Sequence, residues 1–227
     1  MSVRQNSWTP RVITVPGLNG SGPEHWQTWI ERQFPRSVRV QQHSWDEPDL
    51  AIWSRAVAQS LASLLEQPGY PVVLVAHSFG CLAAVEALRS LENSSKHSLG
   101  TPSSSSTDKP VGASVAGALF VAPANPERFG LTVAAFDHHL AMPSIVAASE
   151  DDPWFALEGA QDLADRWGST LINLGRAGHV NAASGYGPWP RGKKMVDALI
   201  CSAARAGSVS ASSQVYRSPG SAAPRPV

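Results

Sequence analysis

One serine in this sequence stands where a nucleophile would be expected. Ser78 lies in the pentapeptide AHSFG (76–80), directly after the apolar run PVVLV (71–75). A serine in a sharp turn between a buried strand and a helix is held in a strained backbone conformation with its hydroxyl exposed. The usual pattern is G-x-S-x-G, and Ala76 is small enough to replace the first glycine. The pattern predicts a nucleophile elbow at Ser78, with an ordinary helix N-cap serine as the alternative.

A serine hydroxyl needs a base, and the base needs an acid to orient it; two later loops offer both. His179 lies in the loop RAGHVN (176–181) and is the only histidine after position 139. The loop SEDDP (149–153) offers Asp151 and Asp152, whose adjacent side chains diverge, so that only one can reach the imidazole. The proline that follows Asp152 rigidifies the turn and favours Asp152 as the acid. The other aspartate is expected to cap the next helix.

The glycine-rich loop PGLNGSG (16–22) is the candidate for binding negative charge. It has neither the lysine of a Walker A loop nor the spacing of a dinucleotide-binding fingerprint. Glycine lets the backbone approach a reacting carbonyl, so we predict an oxyanion hole here. Its two donors would be the backbone amides of Leu18 and Phe79. The alternative is a tight connection to the next helix.

Three tryptophans lie in or beside these loops. Trp26, Trp154 and Trp189 are predicted to line a substrate pocket, and structural packing of the loops is the alternative. His25 and His43 are expected to be exposed loop histidines. The chain has only 2 cysteines, too few for a cysteine-rich zinc site. We predict no metal site and no organic cofactor.

Strand and helix signals alternate along the chain, and they indicate how these loops are positioned. Apolar runs predict strands at 12–15, 38–40, 71–75, 116–121, 143–148 and 171–174. Helical spacing of apolar residues predicts helices at 23–34, 50–64, 81–91, 157–167 and 192–204. This alternation predicts an α/β fold with a mostly parallel central sheet and helices on both faces. Chemistry is then expected at the carboxyl ends of the strands.

Length and composition limit the domain organisation and the possible partners. The 227 residues predict a single domain over 1–206, with a flexible Ser-rich insertion at 93–110 and a disordered tail at 207–227. The 18 basic and 18 acidic residues balance, which argues against binding nucleic acid or an anionic membrane through bulk charge. No apolar stretch is typical of a signal peptide or a membrane span. We expect a cytoplasmic protein.

Four motifs together resemble a known family. They are VPGLNGSGPEHWQ (15–27), VAHSFG (75–80), ASEDDPW (148–154) and GHVNAASGYGPWP (178–190). They look like the small bacterial serine hydrolases of the YdeN type, which are related to the mammalian retinoblastoma-binding-protein serine hydrolases. The resemblance extends from about residue 12 to 205, outside the insertion and the tail. It implies a compact α/β-hydrolase fold without a large cap domain.

The resemblance also bears on the site and on the activity. It implies the triad Ser78, Asp152 and His179, and it supports Asp152 over Asp151. The expected activity is a carboxylesterase-like serine hydrolase that cleaves a small-molecule ester, or an amide, through an acyl-enzyme. Because a fold does not guarantee activity, the alternative is a binding or scaffolding protein built on a hydrolase fold.

Overall fold

Within the part of the chain that the structure describes, six parallel strands form a central sheet. A computed structural model describes residues 10–66, 71–97 and 115–214. The strands are β1 (Arg11–Val15), β2 (Val38–Arg39), β3 (Val72–His77), β4 (Val115–Val121), β5 (Ser144–Ala148) and β6 (Thr170–Asn173). They pair in the order β2-β1-β3-β4-β5-β6, and every pair is parallel. The predicted parallel sheet is confirmed.

Helices cover both faces of this sheet. They are α1 (Trp26–Gln33), α2 (Leu50–Leu65), α3 (Phe79–His97), α4 (Leu157–Trp167) and α5 (Pro190–Gln214). Successive residues of a strand point to opposite faces, so the apolar runs supply two cores. Ile13 and Leu74 pack with α2, α3 and α4, whereas Val12 and Val73 pack with α1 and α5. Burial on both faces explains why the inner strands β1, β3, β4 and β5 are mostly apolar, whereas the edge strands β2 and β6 are partly exposed.

Parallel strands bring all their carboxyl ends to one edge of the sheet. The loops that follow β1, β3, β5 and β6 carry the residues singled out from the sequence. Within the described residues, no large cap domain covers this edge, and the predicted compact α/β-hydrolase architecture is confirmed. None of the helices in those same residues is long and apolar enough to cross a membrane.

Several predicted boundaries differ from the observed ones, and those of α1 and α3 differ most clearly. Helix α1 begins at Trp26 rather than at position 23, because His25 caps it: its Nδ1 accepts the Gln27 amide at 3.2 Å. Helix α3 continues to His97, so that 93–97 are helical rather than part of a flexible insertion. No glycine or proline interrupts the chain there, and serine costs a helix only about 0.5 kcal/mol relative to alanine.

The predicted disordered tail is wrong over its first residues for a similar reason. Helix α5 continues to Gln214, so 207–214 are helical. The next proline along the sequence is at position 219, and small residues allow the backbone bonds to continue. The rest of the predicted insertion, 98–110, and the rest of the tail, 215–227, lie outside the described residues.

Candidate active site

Ser78 occupies the sharp turn between β3 and α3. Its φ of +53° lies in the left-handed region, which a non-glycine residue adopts only at a cost. The turn passes close to the end of β1: a Cβ on Gly80 would lie 2.4 Å from the Pro16 carbonyl oxygen, and a Cβ on Gly17 would lie 2.7 Å from the Ser78 Cβ. Ala76 is fully buried, so the alanine fits where the common pattern has glycine.

A continuous chain of hydrogen bonds joins Ser78 to His179 and Asp152. The His179 Nε2 lies 2.9 Å from the Ser78 Oγ, and the His179 Nδ1 lies 2.8 Å from the Asp152 Oδ2. The other carboxylate oxygen of Asp152 accepts the Trp154 amide at 2.9 Å. Because a carboxylate only accepts, the imidazole donates from Nδ1 and its Nε2 is free to accept the serine proton. The Asp152 side chain is 3% exposed, and water has little access to this bond.

The neighbouring aspartate does not have the role predicted for it. Asp151 accepts the Gly178 amide at 2.8 Å and the Ser149 hydroxyl at 2.8 Å, and these two bonds hold its pKa below the usual range. Helix α4 instead begins after Ala156, which makes no side-chain cap. The predicted helix cap is wrong because the chain places several residues between Asp151 and the helix. The carboxylate supports the loop that carries His179.

Leu18 and Phe79, whose amides are predicted to form an oxyanion hole, belong to two segments that meet at Ser78. Phe79 is the first residue of α3, where an amide has no intrahelical acceptor. Leu18 follows Gly17, whose Cα is packed against Ser78. An oxyanion hole formed by these two amides stays a prediction.

The glycine-rich loop is held in place by a buried glutamine. The Gln27 Nε2 donates at 3.1 Å to the carbonyl of Val15 and at 3.1 Å to that of Val75, which lie at or near the carboxyl ends of β1 and β3. The Ser21 hydroxyl donates to the Gln27 Oε1 at 2.6 Å. One amide group therefore joins the two strand ends and the loop that contains Leu18.

A cavity of about 620 Å³ opens beside the serine. Its walls include Leu18, Ser78, Arg128, Phe129, Trp154 and His179. Of the three tryptophans predicted to line a pocket, only Trp154 does so; its side chain is among the exposed large apolar ones, and the Arg128 guanidinium lies 4.7 Å above its ring. The cavity wall thus contains an aromatic surface and the Arg128 guanidinium together with Ser78.

Trp26 and Trp189 belong to the core instead. Both are buried, their ring centroids are 5.1 Å apart, and neither lines the cavity. The Trp26 Nε1 donates to the Val180 carbonyl at 2.8 Å. For these two side chains the alternative of structural packing is correct. Proximity to a loop in sequence does not determine which way a side chain points.

Two buried histidines beside the site were missed or misplaced by sequence reasoning. His25 is only 5% exposed rather than an exposed loop residue, and His77 is also 5% exposed. Burial, the nearby Arg39 charge and His179 lower the pKa of His25 to about 4. Burial and the proximity of His25 and His179 also lower the pKa of His77 well below its usual value. Both rings are therefore neutral at neutral pH.

Comparisons with known proteins show which family the chain belongs to. A family model described as serine hydrolase matches residues 12–96 and 95–198. The chain belongs to this serine hydrolase family. A YdeN-like hydrolase from Pectobacterium atrosepticum is 34% identical to it, with a TM-score of 0.66, over 84% of this chain and 93% of that one. The resemblance to small YdeN-type serine hydrolases is thereby confirmed.

More distant structures share the fold alone. The ydeN gene product of B. subtilis is 18% identical, with a TM-score of 0.62, over 84% of this chain and 98% of that one. The Zea mays acyl-protein thioesterase 2 is 13% identical, with a TM-score of 0.53, over 89% of this chain and 97% of that one. No curated protein matches this serine hydrolase.

Proposed function

We propose that this YdeN-type serine hydrolase cleaves carboxylic esters of small molecules through an acyl-enzyme. The observation that carries the proposal is the chain of bonds of 2.8 and 2.9 Å from Asp152 through His179 to Ser78. Such an arrangement lets a neutral imidazole remove the serine proton as the oxygen attacks a carbonyl carbon. The adjoining cavity leaves room for a small-molecule substrate.

In the first step the Ser78 Oγ bonds to the ester carbonyl carbon while its proton moves to the His179 Nε2. Asp152 stabilises the imidazolium that forms. The negative charge on the carbonyl oxygen is stabilised by the amides of Leu18 and Phe79. The C–O bond to the alcohol then breaks, and the imidazolium proton goes to the departing oxygen.

Water completes the reaction in a second step. His179 accepts a proton from the water as its oxygen attacks the acyl carbon, and the bond to the Ser78 Oγ breaks. The proton returns to the serine, so one ester and one water give one acid and one alcohol. These steps use side chains and backbone amides of the chain itself and require no cofactor.

The test combines covalent labelling with turnover. A fluorophosphonate probe should label the wild-type protein, and p-nitrophenyl butyrate should be hydrolysed; Ser78→Ala and His179→Ala should lose both. Ser60→Ala is the matched control, because the Ser60 hydroxyl lies in α2 and donates to the Ala56 carbonyl of the same helix. Full activity of a folded Ser78→Ala would refute the proposal. No labelling of folded wild-type protein would favour the binding or scaffolding alternative.

Matched substrates can test whether the protein cleaves the C–O bond of an ester or the C–N bond of an amide. An aryl ester and the anilide of the same acid differ only in the leaving group. Faster turnover of the ester, lost in Ser78→Ala, is the expected result. Preferential turnover of the anilide would reassign the protein as an amidase or peptidase with the same nucleophile.

A further inference from the structure

A buried histidine next to the nucleophile contacts the backbone of the proposed base. His77 is the last residue of β3, and its Nε2 lies 3.0 Å from the His179 carbonyl oxygen. A carbonyl only accepts, so the ring nitrogen donates and the imidazole carries its proton on Nε2. Its low pKa keeps the ring neutral, which leaves this donor arrangement unchanged across the pH range in which the enzyme would work.

The loop that carries His179 is held under backbone strain. Val180 has a φ of +48°, a conformation that a β-branched residue adopts only when its surroundings impose it. Two ring donors from distant elements bind consecutive carbonyls here: His77 binds that of His179, and Trp26 binds that of Val180 at 2.8 Å. These bonds oppose relaxation of the loop toward an unstrained conformation.

We propose that His77 positions His179 for catalysis by donating a hydrogen bond from its Nε2 to the His179 backbone carbonyl. This inference rests on the proposed function of His179 as the base. Because His77 is bonded covalently to Ser78, this contact ties the base to the strand end that carries the nucleophile. A shift of about 1 Å in a reacting group can cost about 10²-fold in rate, so a tether of this kind affects turnover.

Simple packing is the competing explanation, and it makes a different prediction. The His77 ring centroid lies 4.9 Å from that of His25 and 5.0 Å from that of His179, so any side chain of similar volume would fill this space. Positioning instead requires an N–H group where Nε2 lies. The amide nitrogen of glutamine reaches about as far from the backbone as Nε2, whereas that of asparagine reaches only as far as Nδ1.

The experiment compares His77→Gln, His77→Asn and His77→Leu in the full chain. We measure kcat and KM with p-nitrophenyl butyrate, and active sites are counted by fluorophosphonate titration so that unfolded protein does not contribute. The asparagine and leucine variants should lose about ten- to a hundredfold in kcat, with KM changed less than about twofold. The glutamine variant should recover kcat to within about threefold of wild type.

Three outcomes would overturn the inference. These are equal losses in all three variants, unchanged kcat in the asparagine variant, and a change confined to KM. If none of the His77 variants folds, Trp26→Phe tests the same principle, because it removes the neighbouring donor and keeps an aromatic ring. Unchanged kcat in that variant would also count against control of the base through its backbone carbonyls.

Failure of this inference differs from failure of the proposed function. If Ser78→Ala retains activity, the proposed function itself is wrong. If Ser78→Ala is inactive but His77→Asn turns over like wild type, only the positioning role is wrong. His43→Asn is the control for loss of a histidine, because His43 is exposed.

Discussion

Burial of His25 predicts a specific loss of stability in acid. Its pKa is lowered from 6.5 to about 4 in the folded protein, first by burial and then by the positive charge of Arg39 and by His179. As the pH falls, the unfolded chain therefore takes up a proton before the folded protein does. Stability contributed by the neutral ring is complete above about pH 6.5 and is lost progressively toward pH 4.

The size of this loss follows from the two pKa values. With 6.5 in the unfolded chain and about 4 in the folded protein, linkage gives a loss of about 2 kcal/mol at pH 5 and about 3 kcal/mol at pH 4. His77 shifts in the same direction and adds to the total. Only a variant can therefore isolate the contribution of His25.

His25→Asn is the suitable variant, because it removes the titrating ring and keeps a side-chain acceptor for the Gln27 amide that begins α1. The assay is urea unfolding followed by tryptophan fluorescence at pH 7, 6 and 5. Between pH 7 and 5 the wild type should lose about 2 kcal/mol more than His25→Asn. His43→Asn, which changes an exposed histidine, should follow the wild type.

Parallel plots of the free energy of unfolding against pH for the wild type and for His25→Asn would refute this prediction. If His25→Asn and the wild type lose the same free energy of unfolding between pH 7 and 5, His25 does not remain neutral in the folded protein. Steeper loss in the variant would contradict the sign of the argument as well.

Three further predictions concern the site itself. Asp152→Asn should lower kcat by about 10⁴-fold, because an amide at this position permits the wrong imidazole tautomer. Asp151→Asn should lower kcat far less. If steady-state kinetics give the larger loss to Asp151→Asn, the two aspartates exchange roles. Gly17→Ala should lower kcat/KM by about 10²-fold, because the added Cβ would collide with Ser78 and displace the loop that carries Leu18. Gly22→Ala should match wild type, because a Cβ there would meet no heavy atom within 4 Å. Trp154→Ala should raise the KM for aryl esters several-fold and change kcat less, and the opposite split in initial-rate measurements would argue against a role in substrate binding.

The sequence was sufficient to locate the edge of the sheet where the site lies. Short apolar runs marked the buried strands, and the loops after β3, β5 and β6 then had to meet, since parallel strands share one carboxyl edge. Strand order placed Ser78, His179 and the pair Asp151 and Asp152 at this edge, and the choice of Asp152 rested on the proline after it and on the family resemblance. The placement at this edge succeeded because strand periodicity and chain direction are local properties.

Side-chain direction could not be predicted in the same way. Trp26 begins α1 just after the glycine-rich loop and Trp154 lies in the loop after β5, yet the first is fully buried and the second lines the cavity. The same problem affected His25, whose burial depends on His77 and Trp26 packing around it. These contacts join residues on β3 and α1, and no short pattern in the sequence encodes them.

The two adjacent aspartates hold the loop of His179 in different ways. Asp152 binds the imidazole of His179, whereas Asp151 binds the backbone amide of Gly178, one residue earlier on the same facing loop. A side-chain bond alone would leave the loop free to move with the imidazole. With the His77 and Trp26 donors holding the carbonyls of His179 and Val180, the backbone on both sides of the His179 side chain is held. Bonds to the imidazole and bonds to its loop thus both hold His179, and variants in the loop bonds should affect turnover more than substrate affinity.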